Sequence, residues 1–540
     1  MPRHRRLPAA ALLATAGLAT ALAAFAAEPE ACLRLFRKGM LTLPFNPAFL
    51  HVAEVGPDGR AALMMSSFFN VERAADGEKV TRVFERDLVA WIPDLDGVDL
   101  AKFDPATQLE VLTDRAGPPY KEVWPNESDV VPEGVLPFNA VVVPGGFLAT
   151  PKAGRFTIVN IDDPARPEYV VAAAGTATPD CSGGVVRNDR WFYHQALFHD
   201  MDGDGLKDIV TARANLMPFM YKCPFVGELI YFRNPGKDLK PDVPWEVRVL
   251  AGLPDEKNGP EVNLDLADLE GDGVPEIIAT HFFTSDNITV FGAPAGGQWA
   301  DFNPAAGRPL RRATVMTGQG RPFAVEAVDL NGDGRLEILT SNHQGDGCFD
   351  VTADKIPGRV IALQPPASGR LFEDPWTTHI LKDNIRPNPT VPVPARGPGR
   401  LAPNRAVAFW PIRWLEKRVR PWILVGGDEA SRVWILKPAS QREDDWTYES
   451  FTIFDINDHY GPGTTQTIRT DDPKGEVIST IGGVAWRYDR PGAWGFAEIY
   501  VPVFEARQIH VFTFRAGPFG GSKLPRVNCP PDVTLACPAT

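Results

Sequence analysis

Three short acidic segments carry the residues best suited to chemistry in this 540-residue sequence. They span residues 200–208, 268–276 and 329–337, and we call them the first, second and third acidic loops. Each has a carboxylate or amide side chain at positions 1, 3, 5 and 9 and a glycine at positions 4 and 6. Ca²⁺ takes about 6–8 oxygen ligands, and glycine permits the turns that bring alternate side chains to one point. The three loops therefore predict three calcium sites.

The spacing also predicts the ligands: side chains 1, 3, 5 and 9 and the backbone carbonyl of position 7. They are Asp200, Asp202, Asp204, Asp208 and the Leu206 carbonyl; Asp268, Glu270, Asp272, Glu276 and the Val274 carbonyl; and Asp329, Asn331, Asp333, Glu337 and the Arg335 carbonyl. Because this ligand set is full and leaves little open coordination, we expect structural rather than catalytic calcium.

These loops have two competing interpretations. An EF-hand needs a glutamate at position 12 and flanking helices, but position 12 is Thr211, Ala279 and Thr340 and the flanks are β-like. A glycine-rich hairpin with solvated acids and no metal is the other alternative. Three copies that each cluster carboxylates favour the metal.

The loops must be positioned by strands, because short aliphatic runs precede and follow each of them. A further strand pair follows each hairpin, such as 228–232 and 245–249, so each unit has four strands. The loops start 68 and 61 residues apart, and weaker copies occur at 48–68, 139–160, 405–437 and 482–514. Seven units of four strands predict an all-β fold, a seven-bladed β-propeller with four-stranded antiparallel blades.

The acidic loop followed by an aliphatic strand resembles the FG-GAP/VCBS repeat of integrin-α-like propellers, and of secreted lectins and lyases of that fold. The resemblance implies calcium on the hairpins of one face of a seven-bladed ring. Residues 227–236 with Trp245 are also similar to the propeller part of fungal aldos-2-ulose dehydratases.

Alignment of the units places a second group of polar residues at the opposite face, around the central mouth. Before the first strand of their units stand His194, Gln195, Glu261, Asn263 and Arg321; after the second strand stand Arg213, His281, Asn342, His343, Asp428 and Glu505. His194, Arg213, His281 and His343 are the candidate catalytic residues. Such a ring would suit an extracellular module that binds carbohydrate or protein; the alternative is a carbohydrate-active lyase or dehydratase, with histidine or glutamate as base and arginine stabilising an enolate.

The N-terminus resembles an export signal. Residues 1–26 combine three arginines with an Ala/Leu-rich stretch and end in Ala24-Phe25-Ala26, which predicts a signal peptide; an uncleaved membrane anchor is the alternative. We divide the rest into an N-terminal segment (27–43), the propeller (44–515) and a Cys/Pro-rich tail (516–540). The protein is expected to be secreted, or periplasmic in a bacterium, without an integral membrane span after cleavage.

Composition agrees with an exported cation-binding protein. The formal net charge of −13 argues against nucleic acid as a partner. The six cysteines (Cys32, Cys181, Cys223, Cys348, Cys529 and Cys537) predict disulfides of open pairing. Asn126 and Asn287 begin glycosylation sequons, which matter only in a eukaryotic host.

Overall fold

The computed structural model describes residues 33–55, 59–68, 71–73, 82–85, 87–113, 124–147, 154–163, 165, 167–175, 191–215, 226–252, 259–282, 285–346, 356–390, 400–466, 476–490, 492, 495–516 and 534–535. The predicted signal peptide and all six cysteines lie outside these residues. Within them, no helix is long and apolar enough to cross a bilayer.

Seven small antiparallel sheets form a ring, which confirms the predicted seven-bladed β-propeller. From the axis outward, blade 1 is β2 (Leu50–Val55), β3 (Arg60–Ser67), β6 (Leu88–Ile92) and β7 (Glu110–Val111). Blade 2 is β8 (Asp129–Val130), β9 (Ala140–Pro144), β10 (Phe156–Asn160) and β11 (Glu168–Ala172). Blade 3 is β13 (Leu197–His199), β14 (Asp208–Asn215), β15 (Gly227–Arg233) and β16 (Glu246–Ala251), with β12 (Trp191–Tyr193) paired to the end of β14.

The remaining blades follow the same order. Blade 4 is β17 (Leu264–Ala267), β18 (Glu276–His281), β19 (Asn287–Gly292) and β20 (Arg311–Met316). Blade 5 is β21 (Pro322–Val328), β22 (Glu337–Asn342), β24 (Gly358–Gln364) and β25 (Thr377–Ile385). Blade 6 is β27 (Ala406–Phe409), β28 (Trp422–Gly426), β29 (Arg432–Pro438) and β30 (Tyr448–Asp455). Blade 7 is β33 (Ala485–Tyr488), β34 (Ala497–Val503), β35 (Gln508–Ala516) and, as its outer strand, β1 (Leu33–Thr42).

Short elements lie outside the seven blade sheets. Among the described residues, three two-stranded sheets pair β4 (Val71–Arg73) with β5 (Arg82–Glu85), β23 (Gln344–Asp346) with β26 (Arg400–Ala402), and β31 (Thr465–Gln466) with β32 (Glu476–Val477). The two short α-helices of the described residues are α1 (Pro105–Gln108) and α2 (Ile456–Tyr460).

The ring is closed by the N-terminal strand. β1 pairs with β35 from Leu33↔Ala516 to Thr42↔Gln508, and β36 (Thr534–Leu535) pairs with β1 in turn. The propeller therefore begins before residue 44, because a strand of the segment placed outside it completes blade 7. The buried Glu498 of β34 forms ion pairs with Lys38 of β1 and with Arg487 of β33. Blade 7 is therefore built from strands of both ends of the propeller.

Seven apolar clusters hold the ring together, one between each pair of neighbouring blades. Side chains alternate along a strand, so in β18 Ile277 packs towards blade 3 while Ile278 packs towards blade 5. Each blade is therefore apolar on both faces.

The innermost strands are also linked by side chains. Their axial edges present unpaired N–H groups, and side-chain oxygens of the preceding blade accept three of them. Gln195 Oε1 accepts from Leu264 N at 2.9 Å, Asp265 Oδ2 from Ala327 N at 2.7 Å, and Glu326 Oε2 from Ala408 N at 2.8 Å. These bonds connect blades 3 to 6 around the axis.

Glu326→Gln should stabilise the protein at alkaline pH. Burial, and then the charge of Asp265, raise the pKa of Glu326 to about 7. Since the folded-state pKa is raised, the protonated acid stabilises the fold below about pH 4.5, and this contribution is lost as pH rises through 7. The amide keeps the acceptor for Ala408 N and has no charge to bury. We expect the variant to be more stable than wild type at pH 8, by about 3 kcal/mol, with the difference vanishing near pH 4.5 in thermal melts. The exposed Glu443→Gln is the control; parallel pH profiles for the wild type and Glu326→Gln would contradict the assignment.

A buried arginine of blade 6 fastens the third acidic loop. Arg420 is 2 % exposed, and its Nε donates to the carbonyl of Leu330 within that loop at 2.9 Å. Its Nη1 donates to the carbonyls of Ser440, Arg442 and Asp445. One guanidinium thus satisfies four carbonyls from two blades.

Arg420→Met should therefore lower the free energy of unfolding by about 3 kcal/mol or more, because it leaves buried carbonyls without donors. Arg370→Met, at a side chain that is 63 % exposed, should change it by less than about 0.5 kcal/mol. Denaturant titration of both variants measures the difference, and equal midpoints would refute the role of Arg420.

Candidate metal sites and the histidine cluster

The three acidic loops lie on the same rim of the ring. Each connects the first and second strands of its blade: β13 to β14, β17 to β18, and β21 to β22. They occupy consecutive blades 3, 4 and 5. We call this side the loop rim and the other the opposite rim.

The first aspartate of each loop organises its turn. In the first loop, the two carboxylate oxygens of Asp200 accept hydrogen bonds from Gly203 N at 2.8 Å and Gly205 N at 2.9 Å. Asp268 and Asp329 accept from the matching glycines of their loops. Gly203 and Gly205 have φ values of 77° and 87°, a region that disfavours residues with a Cβ.

The carboxylate at position 9 is buried in every loop. Asp208, Glu276 and Glu337 are each 0 % exposed, and each accepts a backbone N–H from position 2 of its own loop. Burial raises the pKa of Asp208 to about 6, that of Glu276 to about 7 and that of Glu337 to about 8. A buried carboxylate needs a compensating charge or a proton.

The loops differ in what faces these acids. In the first, oxygens of Asp200, Asp202 and Asp208 lie within 4.8 Å of one another. There Arg233 donates to Asp202 at 2.5 Å and to Asp204 at 2.9 Å.

In the second loop, Arg311 lies 2.6 Å from Glu270 and 3.7 Å from Glu276. In the third, Asn331 Nδ2 donates to Asp333 at 3.1 Å, and the Arg335 guanidinium donates to the Pro366 carbonyl at 2.7 Å. Glu337 Oε1 is buried and has no hydrogen-bond partner among the described residues. The donors at all three loops are oxygens, which suits Ca²⁺.

On the opposite rim, two of the predicted histidines meet in an aromatic cluster. The ring of Phe323 lies between them, with centroids 5.6 Å from His194 and 4.9 Å from His343. Phe49 and Phe282 pack against the outer sides of His194 and His343. Both histidines are only 5–6 % exposed, so the centre here is packed rather than open. The sequence analysis considered only polar residues at this rim and so missed these phenylalanines. Phenylalanine gives no distinct signal in a sequence, because it is also common in ordinary hydrophobic cores.

His343 forms a pair with an aspartate of blade 6. Its Nδ1 lies 2.7 Å from the Pro403 carbonyl, which accepts an N–H there, so Nε2 is the unprotonated nitrogen; it lies 3.5 Å from Asp428 Oδ2. Burial lowers the pKa of His343 to about 4 and raises the pKa of Asp428 well above its usual value. Asp428 also has a φ of 49°, a strained value for a residue other than glycine. The Arg321 carbonyl accepts a hydrogen bond from His343 N at 2.8 Å, and the Arg321 guanidinium, whose Nε lies 3.5 Å from Asp286, is close enough for its charge to contribute to the lowered pKa of His343.

Other predicted residues of the opposite rim are engaged in structural contacts. Arg213 donates twice to Glu228 Oε2, at 2.8 and 2.6 Å, and stacks on Trp191 at 4.0 Å. Glu505 accepts from Ser479 N and from Thr480.

The remaining members of that group are also buried. Asn263 Nδ2 donates to the Phe323 carbonyl at 2.7 Å, Asn342 Nδ2 donates to the Gln319 and Pro357 carbonyls, and Glu261 is 0 % exposed. His281 lies apart, in a pocket between blades 3 and 4. The structure therefore assembles His194, Arg321, His343 and Asp428, and places Arg213 and His281 elsewhere.

The first sequon is used for packing. Asn126 is 2 % exposed, and its Nδ2 donates to the carbonyls of Gly146 at 3.0 Å and Tyr193 at 2.7 Å. A glycan on this nitrogen would be incompatible with both bonds.

Comparison with protein families identifies the repeat. Residues 268–340 match the family model of the FG-GAP-like repeat. The chain carries an FG-GAP-like repeat. The matched segment runs from the second acidic loop into strand β22, through the third acidic loop, and so confirms the resemblance on the residues that suggested it.

Other comparisons are distant. No curated protein matches the chain. Among solved structures, the NanB sialidase of Streptococcus pneumoniae, in complex with 2-[(3-chlorobenzyl)ammonio]ethanesulfonate, is similar at 10 % identity with a TM-score of 0.34, over 89 % of this chain and 70 % of that one. BBS1N in complex with ARL6DN is similar at 9 % identity with a TM-score of 0.37, over 89 % of this chain and 96 % of that one. Neither likeness bears on function.

Proposed function

We propose that this protein is a secreted, calcium-stabilised β-propeller that acts as an extracellular binding module for carbohydrate or protein. The observation that carries the proposal is the division of the ring into two rims. One rim holds three acidic loops with buried carboxylates, and the other holds polar side chains that are locked into packing and ion pairs.

The donor sets support calcium at the loop rim. A bound Ca²⁺ supplies the positive charge that the buried acids of position 9 require. The residues that would hold it are those predicted from the spacing, and Asp200, Asp202 and Asp208 already converge. Glu337 Oε1, which is buried without a hydrogen-bond partner in the described part of the chain, is the donor best explained by a cation.

The histidines favour binding over catalysis. A general base must reach its substrate and be protonated reversibly near the working pH. His194 and His343 are buried, and burial lowers the pKa of both. Arg213, the predicted electrophilic partner, is held by Glu228 and Trp191.

Export is the part of the proposal that rests on residues 1–26, whose basic and apolar halves are typical of a signal peptide. Extracellular modules commonly bind Ca²⁺ weakly, with dissociation constants of about 0.1–1 mM.

A lyase or dehydratase at the mouth is the second candidate. The arrangement that favours it is the His343–Asp428 pair with Arg321 beside it, since an imidazole–carboxyl pair and a guanidinium are the groups an elimination needs.

Removal of calcium should lower the melting temperature of the wild-type protein. The effect of Glu337→Gln on stability should change sign between calcium-free and calcium-loaded protein. In excess chelator the variant should be as stable as wild type or more so, because an amide needs no compensating charge at a buried position. In excess Ca²⁺ it should be less stable, because it loses one carboxylate ligand. Differential scanning calorimetry with and without calcium measures both.

The exposed Glu373→Gln, at a side chain that is 56 % exposed, should follow wild type under both conditions. Wild-type melts that do not respond to calcium or to chelator would remove the metal from the proposal.

The binding function is tested by a glycan array and an extracellular-protein array, both in calcium. We expect saturable binding to at least one glycan or protein and no change in the ultraviolet absorbance of oxidised, anhydro or uronate sugars. Absorbance of a new enone or unsaturated uronate, lost in His343→Ala, would instead establish the lyase alternative. Absence of any ligand on both arrays would overturn the binding module.

A further inference from the structure

The first and second acidic loops have the same set of charges but are contacted by different arginines. Each loop has four carboxylates, at positions 1, 3, 5 and 9. Arg233 of β15 forms ion pairs with the first loop, and Arg311 of β20 forms ion pairs with the second. A guanidinium repels a cation that binds to the same carboxylates. The effect of each arginine on calcium binding therefore depends on whether the arginine can leave its loop.

Arg233 is held by the first loop alone. It is the last residue of β15, its side chain is 41 % exposed, and its Nε and Nη2 donate to Asp202 and Asp204. In the described part of the chain, its guanidinium makes no other hydrogen bond, ion pair or ring contact. Ion pairs of exposed side chains contribute little to stability, because water solvates both partners. Arg233 can therefore turn into solvent when a cation takes its place.

Arg311 is held from outside the second loop. Its Nε donates to the Ala293 carbonyl at 2.9 Å, and its guanidinium lies 4.4 Å from the centroid of the Phe372 ring of blade 5. Gly292, its partner across β19 and β20, leaves room for this position, because a Cβ there would lie 3.1 Å from Arg311 Nη2. These neighbours keep the guanidinium beside the loop independently of the carboxylates.

From this position Arg311 reaches two of the predicted calcium ligands. Its Nη1 lies 2.6 Å from Glu270, and its Nη2 lies 3.7 Å from Glu276, the buried acid of position 9. A buried carboxylate needs a compensating charge, and Arg311 supplies part of it. The second loop therefore carries a counter-charge of its own that does not leave.

We propose that Arg311 sets the calcium affinity of the second loop and makes this loop the weaker of the two sites, so that it fills at calcium concentrations at which the first loop is already occupied. The charge of the ligands is one of the quantities that tune calcium affinity. The first loop offers its full charge once Arg233 has left, whereas Arg311 remains beside an ion in the second loop.

The geometry of the carboxylates agrees with this order. Among the described residues, only the first loop brings three acidic ligand atoms within 4.8 Å of one another, those of Asp200, Asp202 and Asp208. The inference rests on the calcium sites of the proposed function and adds a graded response to them.

Isothermal titration calorimetry of the full chain with CaCl₂, after removal of calcium by chelator, tests the order. We expect the second loop to bind calcium at least tenfold more weakly than the first. Asp204→Ala and Asp272→Ala each remove one ligand and so identify the heats of the first and second loops. Arg311→Met should tighten the second loop about tenfold, equivalent to about 1.4 kcal/mol, and leave the first loop unchanged.

A second variant tests the anchoring of the arginine without removing its charge. Phe372→Leu takes away the ring on which Arg311 stacks, so it should also tighten the second loop, by less than Arg311→Met does. Arg308→Gln is the matched control, because this arginine of the same blade is 45 % exposed and pairs with Asp301 rather than with an acidic loop. It should titrate like wild type.

Melting temperatures give a readout that does not depend on calcium affinity. In excess chelator Arg311→Met should melt below wild type, because Glu276 loses its counter-charge, and saturating calcium should reduce the difference. A difference that is the same in chelator and in calcium would contradict the role of Arg311.

The titrations separate this inference from the proposed function. Equal affinities of the first and second loops would overturn the inference and leave the calcium sites in place. The same holds for a second loop whose affinity changes in neither Arg311→Met nor Phe372→Leu. Failure of the wild-type chain to bind calcium at all would instead remove calcium from the proposed function, and the inference with it.

Discussion

The structure depends on the burial of both faces of every blade. Since each sheet is apolar on its two sides, no blade is stable alone, and only a closed ring of seven buries all fourteen faces. The ring closes because β1, from the beginning of the chain, completes blade 7 beside β35. The ion pairs of Glu498 with Lys38 and Arg487 support this joint.

Within this ring, polar groups do the local positioning. Carboxyl and amide oxygens of Gln195, Asp265 and Glu326 accept the N–H groups that the innermost strands leave unpaired. Arg420 connects the third acidic loop to blade 6. Such contacts satisfy buried backbone groups that the ladders of the sheets cannot reach, and they hold the loop at a defined distance from its neighbour.

The two rims have different physical characters. At the loop rim, Arg233 and Arg311 pair with acids of the first and second loops, and burial raises the pKa of the acid at position 9 in each loop. At the opposite rim, aromatic rings pack against His194 and His343, and burial lowers the pKa of both. The pocket that His281 lines is distinct from both, because it lies between blades rather than at the axis.

The sequence by itself determined the architecture. Three acidic loops of equal length at near-equal spacing, each between aliphatic runs, predicted the four-stranded repeat, and four weaker copies of it gave the number of blades, because strand periodicity and turn chemistry are local. It also determined which residues form the loops. The tertiary structure alone decided that β1 belongs to blade 7, since a strand pairing across more than 460 residues has no local signal. It likewise decided that Arg213 is held by Glu228, that His194 and His343 are packed against phenylalanines, and that His281 lies in a pocket between blades 3 and 4. Those outcomes depend on which side chains neighbouring blades bring into contact. An alignment of repeats predicts which rim a residue occupies, but it does not predict which side chains of the next blade pack against that residue.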